Sequence, residues 1–392
     1  MGVIELRFLV PTVIAVSFLA DVGLRFVPPE RIAFRAWEAV RLLPTADGPF
    51  TPDMVYRNDR AYGDLPNLGN LPSLRVYRPE LFTTDVFGFR RTPVEQNCPV
   101  KMIVVGDSFA AGSGLSDSET LSAQLAEMSR SGVYNSGASR SWREVDKLIK
   151  RLHLNGGLVV WQISERGEQA GEGVRFEVRI LRSLLAEDSP LYKKAYRALR
   201  VASRYWLYSP LEIMMTRVFR TVQDDRWLPN VSADKVLRKR LSNGRDMGFL
   251  PSEAENFGKV RFENPDSFVQ LRASVRATGN EVLVLMVPDK YGAYYPLFVG
   301  SPVPPAEEST TLGTLAQRLQ VRGVPALDLT RVFRQRATAA LRNGRYLYWT
   351  DDTHWNPIGV KIAAEEVLKF LRGSTNGWDR PPACPATPPS SP

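Results

Sequence analysis

From residue 101 onward, short apolar runs alternate with longer stretches of helical period. KMIVV (101–105), GLVVWQIS (157–164), EVLVLMVP (281–288) and VPALDLT (324–330) carry apolar residues in near-continuous runs. Strands of that kind are buried on both faces. Between them lie DSETLSAQLAEMSRS (117–131), SWREVDKLIKRLHLN (141–155), DSFVQLRASVRATGN (266–280) and TLGTLAQRLQVRG (311–323), which read as amphipathic helices. Parallel strands cannot be joined by tight turns and need long crossovers. The alternation therefore restricts the chain to an α/β fold, a mostly parallel sheet with helices on both faces.

GVYNSGAS (132–139) adds a further strand, and a loop and last helix ending near residue 372 close the unit. Residues 168–262 break the rhythm with Arg-rich helical stretches and read as a helical insertion or cap. The sheet-bearing domain then has two parts, 99–167 and 263–372. Residues 28–98 are rich in Pro, Gly and Asn without a sustained period, and read as an extended region wrapping the core. The tail at 373–392 is too proline-rich to pack and is expected to be disordered.

The N-terminal stretch RFLVPTVIAVSFLADVGLRFV is apolar without interruption from Phe8 to Ala20 and approaches a bilayer span if continued to Val27. The segment 1–27 reads first as a single N-terminal membrane anchor, second as a cleaved signal, third as a buried helix. The first two readings put the bulk of the chain outside the cytoplasm, the first on a bacterial inner-membrane anchor with the remainder in the periplasm or outside, the second as a secreted protein.

The net charge is +9, but the basic residues are spread thinly. The clusters at 236–245 and 329–345 lack the interleaved aromatics of a single-strand platform, so no nucleic-acid partner is expected. Cys98 and Cys384 are expected to be free thiols, since Cys384 sits in the proline-rich tail. No Walker or dinucleotide motif is present, and two distant histidines give no zinc-ligand spacing, so neither cofactor nor metal is expected.

Ser108, in IVVGDSF, stands just past the C-terminal end of the first sheet strand, where open parallel sheets form their crevice. It is either a helix N-cap or a nucleophile, and a serine nucleophile needs a base beside it. Of the two histidines, His153 ends a helix and reads as a surface or capping residue. His354 lies in TDDTHWNPIG with Asp352 two positions earlier, a spacing that lets the carboxylate reach one ring nitrogen and leave the other for the serine proton. Oxyanion donors are expected from the amides of Ser108 and Gly137 and the side chain of Gln162. Arg166, beside Glu165, is either a structural ion-pair partner or a contact for an acidic substrate. Lys290, Tyr294 and Tyr295 lie past a strand end on the expected rim, as substrate contacts or surface residues. Trp355 either stacks on a sugar or packs the loop.

GDSF (106–109), Gly137 and DDTHWN (351–356) resemble the SGNH or GDSL hydrolase superfamily. That resemblance implies a three-layer α/β/α sandwich with a Ser108–His354–Asp352 triad. The family's Gly-x-Asn-x-Asp block is not matched by WQISERGE, which leaves Gln162 as the stand-in donor. DTHW (352–355), ISERG (163–167), VPDKYGAYYP (287–296) and VFGFRR (86–91) are similar to the bacterial alginate and exopolysaccharide O-acetyltransferase branch. In the best-known alginate members the Asp-x-His segment precedes the serine, whereas here it follows.

The expectation is serine-dependent acyl transfer through an acyl-serine, with a glycan or polysaccharide hydroxyl as acceptor and a membrane-bound acyl-donor protein as partner. Two rivals stand beside it: an esterase that uses water, and a non-catalytic assembly or binding factor of a polysaccharide export system.

Overall fold

A computed structural model describes residues 3–33, 35–41, 48–93, 98–138, 142–165, 209–224, 233–259, 265–301 and 311–373, with positions 190 and 194. The apolar runs form strands β3 (Val100–Gly106), β4 (Gly132–Gly137), β5 (Leu158–Ser164), β8 (Glu281–Val287) and β9 (Ala326–Asp328) of one sheet. Its order is β4-β3-β5-β8-β9, and every pairing is parallel. The chain steps from β3 outward to β4, then returns to the other side of β3 as β5. That reversal opens a crevice at the C-terminal end of β3, the usual ligand position in open α/β sheets. Ser108 follows β3 by two residues.

Side chains alternate between the two faces because successive strand residues point in opposite directions. Met102, Val104, Leu158, Val160, Leu283 and Leu285 pack on one side beneath Leu121 and Leu125, Phe333 and Ala337, and Val360 and Ala364. Ile103, Val105, Val159 and Val282 face the other side beneath Val145, Leu148, Leu271 and Val275. Val284 and Met286 are covered by Leu312, Leu315 and Leu319. The result is helices, sheet and helices in three layers, the α/β arrangement expected from the alternation.

The N-terminal expectation is corrected. Residues Val3–Leu24 form helix α1 with Pro11 inside it, yet among the described residues no helix is long and apolar enough to cross a membrane. The C-terminal end of α1 is also engaged with protein. Asp21 and Arg25 form a buried ion pair at 3.0 Å, and Asp21 accepts from the Ser209 hydroxyl and the Leu211 amide at the start of the helix Pro210–Asp224. The inner-membrane anchor, and the placement read from it, are overturned.

Most of the expected helical insertion lies outside the described residues. The described part includes Pro210–Asp224 and an antiparallel hairpin, β6 (Leu237–Arg240) and β7 (Asp246–Phe249), which the charged LRKR did not signal. The free-thiol expectation also fails: Cys98 is disulfide-bonded, and the chain's other cysteine, Cys384, lies outside the described residues.

The wrapping region is more ordered than its composition suggests. Strands β1 (Val55–Ala61) and β2 (Arg78–Thr83) pair antiparallel. Tyr56, Phe82 and Phe50 gather with Ala36, Ala39 and Val40 into a small core that reaches Ala111, just after Ser108. Arg90, from VFGFRR, is buried and donates to Asp117 and to the carbonyls of Ala111, Gly112, Leu81 and Leu115. This region therefore braces the backbone immediately downstream of Ser108.

Candidate active site

The turn after β3 is built locally. Asp107 caps the short helix Ser108–Ala111, its Oδ1 accepting the Phe109 amide at 2.8 Å and its Oδ2 accepting the Ser164 hydroxyl at 2.7 Å. Gly106 allows close approach to β5, since a Cβ there would stand 2.4 Å from Gln162 Oε1. Gln162 Oε1 accepts the Asp107 amide at 3.2 Å. The Ser108 amide occupies the first helical position, where the geometry supplies no intrahelical acceptor.

The histidine comes from the other end of the chain. His354 Nε2 lies 2.7 Å from Ser108 Oγ, and His354 Nδ1 lies 2.6 Å from Asp352 Oδ1. With the proton on Nδ1, the ring donates to Asp352 and presents Nε2 to the hydroxyl. Asp352 Oδ1 also accepts the His354 amide at 3.0 Å, which closes the two-residue spacing into a local clamp. Burial alone would raise the Asp352 carboxyl, but His354 and Arg78 beside it hold it well below the usual carboxylate range. The Phe109 and His354 rings lie 4.9 Å apart between centroids, so the imidazole rests on an apolar neighbour of the serine.

The clamp is itself held from the wrapping region. Asp352 Oδ2 accepts the Asp64 amide at 3.1 Å and faces Arg78 Nη2 at 3.5 Å. Asp351, fully buried, accepts Arg78 Nη1 at 2.8 Å, the Gly63 amide at 2.7 Å and the Val76 amide at 3.0 Å. Asp64 takes the Thr353 amide at 3.0 Å and the Thr353 hydroxyl at 2.7 Å. Burial, and then Asp352 nearby, push the Asp64 carboxyl upward.

Several expected residues have other roles. Lys290 is not on the rim: it is fully buried and donates to the carbonyls of Gly248, Thr350 and Asp352 at 2.7, 3.1 and 3.0 Å. It ties the β6–β7 hairpin to the histidine loop, and burial pulls its ammonium down to about 8. Tyr294 is buried beneath the same loop, its hydroxyl accepting the Leu347 amide at 2.8 Å. Tyr295 is half-buried and stacks on Phe257 at 4.4 Å. Trp355 is fully buried, edge-on to Phe109 at 5.4 Å, which makes it packing for the loop. Arg166 lies outside the described residues.

The expected oxyanion donors divide. The Gly137 amide donates to Asn135 Oδ1 at 2.8 Å, so it is already engaged. Gly137 serves close packing instead, because a Cβ would stand 2.1 Å from the Ala111 nitrogen. Gln162 is buried, and its Nε2 has no partner among the described residues. A buried donor without an acceptor is costly, by about 1–3 kcal/mol. It can recover that loss by meeting an oxygen that gains charge during reaction.

Asp64, Asp352 and His354 present ligand-type atoms within 4.8 Å of one another. Both imidazole nitrogens are already engaged, Nδ1 with Asp352 and Nε2 with Ser108. A cation there would have to displace one of those bonds.

With this geometry in view, one comparison bears on the relationship. Residues 254–384 match the SGNH hydrolase-like domain of the acetyltransferase AlgX. The matched stretch is similar to that domain. It contains Asp352 and His354 but neither Ser108 nor the first three strands of the sheet. No curated protein matches the chain. The SGNH-type cluster of serine, histidine and carboxylates is consistent with acyl transfer or ester hydrolysis.

Sequence reasoning missed Asp64, Arg78, Asp351 and Arg90. GDLPNLGN reads as loop, and nothing local marks its single carboxylate as a partner of a loop nearly three hundred positions away. DDTHWN did offer a signal for Asp351: two adjacent acids in a buried loop need two separate sets of donors.

Proposed function

We propose that the protein is a serine-dependent O-acetyltransferase that acts on a glycan through an acyl-serine intermediate. The observation that carries this reading is the Ser108–His354–Asp352 chain of hydrogen bonds, at 2.7 and 2.6 Å. In the first step His354 Nε2 takes the Ser108 proton as Oγ attacks the carbonyl carbon of an acetyl ester. Asp352 stabilises the imidazolium that forms. The oxyanion draws on the Ser108 amide and Gln162 Nε2. Collapse expels the donor's alkoxide, which His354 protonates. A sugar hydroxyl then gives its proton to His354, attacks the acetyl-serine and leaves as the acetyl ester, with Ser108 reprotonated.

The match to an acetyltransferase domain favours transfer to an acceptor hydroxyl over hydrolysis by water. The test is intact-protein mass spectrometry after exposure to an aryl acetate, followed by addition of an oligosaccharide. The expected result is an acetyl adduct on Ser108 that is lost faster when the oligosaccharide is present, with acetylated sugar as product. An adduct that clears at the same rate in water alone would make the protein an esterase. No adduct, and wild-type turnover in Ser108→Ala, would remove the acyl-serine reading.

A further inference from the structure

The hydrogen bonds around Thr353 have a direction, and that direction bears on the histidine. Thr353 is fully buried between Asp352 and His354. Its hydroxyl lies 2.7 Å from Asp64 Oδ2 and 3.3 Å from His354 Nδ1. A hydroxyl has one proton to give and can also accept. An Asp64 carboxylate takes that proton, so the Thr353 oxygen turns a lone pair towards the ring. His354 Nδ1–H then faces two acceptors, Asp352 Oδ1 in front and Thr353 Oγ to the side. Asp64 Oδ2 lies behind them, 4.0 Å from the same nitrogen. The bracing is mutual, since the Asp64 amide donates to Asp352 Oδ2 while the Asp64 carboxylate accepts from Thr353.

We propose that Asp64 is a positioning residue for His354: by setting the polarity of the Thr353 hydroxyl, it keeps the Nδ1 proton in place and Nε2 aimed at Ser108. The proposal rests on the acyl-serine reading above. It also makes the wrapping region, through a residue outside the matched stretch, part of the reacting apparatus. Arg78 contributes separately, by fixing where Asp351 and Asp352 sit.

Asp64→Asn tests the polarity directly. A carboxamide cannot accept from both the Thr353 amide and the Thr353 hydroxyl. In either orientation it sets its NH2 group against one of them. If that group meets the hydroxyl, the Thr353 proton swings towards His354 Nδ1–H. On an aryl acetate, Asp64→Asn is expected to lower kcat by about tenfold to a hundredfold with KM nearly unchanged, the mark of a misaligned base. The downfield Nδ1 proton of His354 should shift or broaden in the NMR spectrum. Thr353→Ser, which keeps the hydroxyl, should retain activity, whereas the near-isosteric Thr353→Val should lower kcat to about the same degree as Asp64→Asn. The double variant Asp64→Asn/Thr353→Val should be no slower than Asp64→Asn alone, because the two act as a unit.

Full kcat in Asp64→Asn, strictly additive losses, or a Thr353→Ser as slow as Thr353→Val would overturn the proposal. If Asp64→Asn does not fold, the Thr353 pair decides, since both of its members keep Asp64. Ser108→Ala in the same assay separates the two levels. Its inactivity beside a fully active Asp64→Asn sinks the positioning role alone, and its full activity sinks the acyl-serine reading beneath it.

Discussion

The two halves of the site are fastened in opposite ways. The nucleophile half is local: Gly106, Asp107 and Ser108 turn off β3, and its supports, Gly137, Gln162 and Ser164, come from the two adjacent strands. The histidine half is a loop closed by the Asp352 clamp and a Tyr348–Trp355 bridge, and it sits in no sheet or long helix. Its loop is pinned by Gly63, Asp64, Val76 and Arg78 from the wrapping region and by Lys290 from the far side. One half is therefore as rigid as the sheet, and the other is as rigid as the long-range polar network that holds it. The comparison predicts that damage to the first half shows in chemistry, and damage to the second shows in chemistry and stability together.

The largest effect should come where the halves meet. Measured on an aryl acetate, Ser108→Ala is expected to lower kcat by about 10³-fold or more with little change in Tm, and His354→Ala to lower kcat as far with a loss of Tm as well, since Asp352 loses its buried partner. A large Tm loss in Ser108→Ala would break the comparison, because it would give the serine a structural duty. Next, Gln162→Leu should lower kcat by about 10²-fold if Nε2 serves the oxyanion. Unchanged kcat would leave the Ser108 amide as the main donor.

Asp351→Ala should act mainly through the fold. It leaves the Arg78 charge buried without its nearest partner, which costs about 3–5 kcal/mol, read by denaturant unfolding. A matching loss of kcat would show that the histidine loop moves when its fastening is cut. A loss of stability with full kcat would show that the Asp352–His354 clamp holds without outside help.

The smallest effect concerns Lys290. Its ammonium is pulled below the unfolded value of 10.5 to about 8. Below about pH 8 both states hold the proton and stability is flat with pH. Between about 8 and 10.5 the unfolded chain binds more protons, so folding stability rises with pH. Relative to Lys290→Met, the wild-type protein should gain stability across that window. A parallel profile for the two proteins would show that the carbonyl cage keeps the ammonium charged throughout.

The same contrast explains what could be read from the chain. The sheet and the serine turn were legible because their causes are near neighbours: continuous apolar runs, a glycine that permits close approach, a capping aspartate. The Asp352–His354 pair was legible because two-residue spacing is itself a local fact. Asp64 and Arg78 were not, because a carboxylate or guanidinium in a Pro- and Gly-rich stretch carries no mark of the partner it will meet. Lys290 misled for a related reason. A lysine past a strand end suggests solvent, and only the tertiary structure supplies the three carbonyls that let it be buried. Gly137 was read as a donor, but the need there is steric, and Asn135 already occupies its amide. At the N-terminus hydropathy suggested a span, whereas the described helices include none that can cross a membrane.

The distance along the chain between Ser108 and its base has a consequence for how the protein is made. A ribosome releases residues 63 to 108 long before 351 to 354 exist. Until those last residues emerge, the hydroxyl has no proton acceptor and Arg78 waits without either of its aspartates. An unfinished polypeptide thus carries a harmless serine, and reactivity arrives only when the C-terminal loop locks onto the early segment.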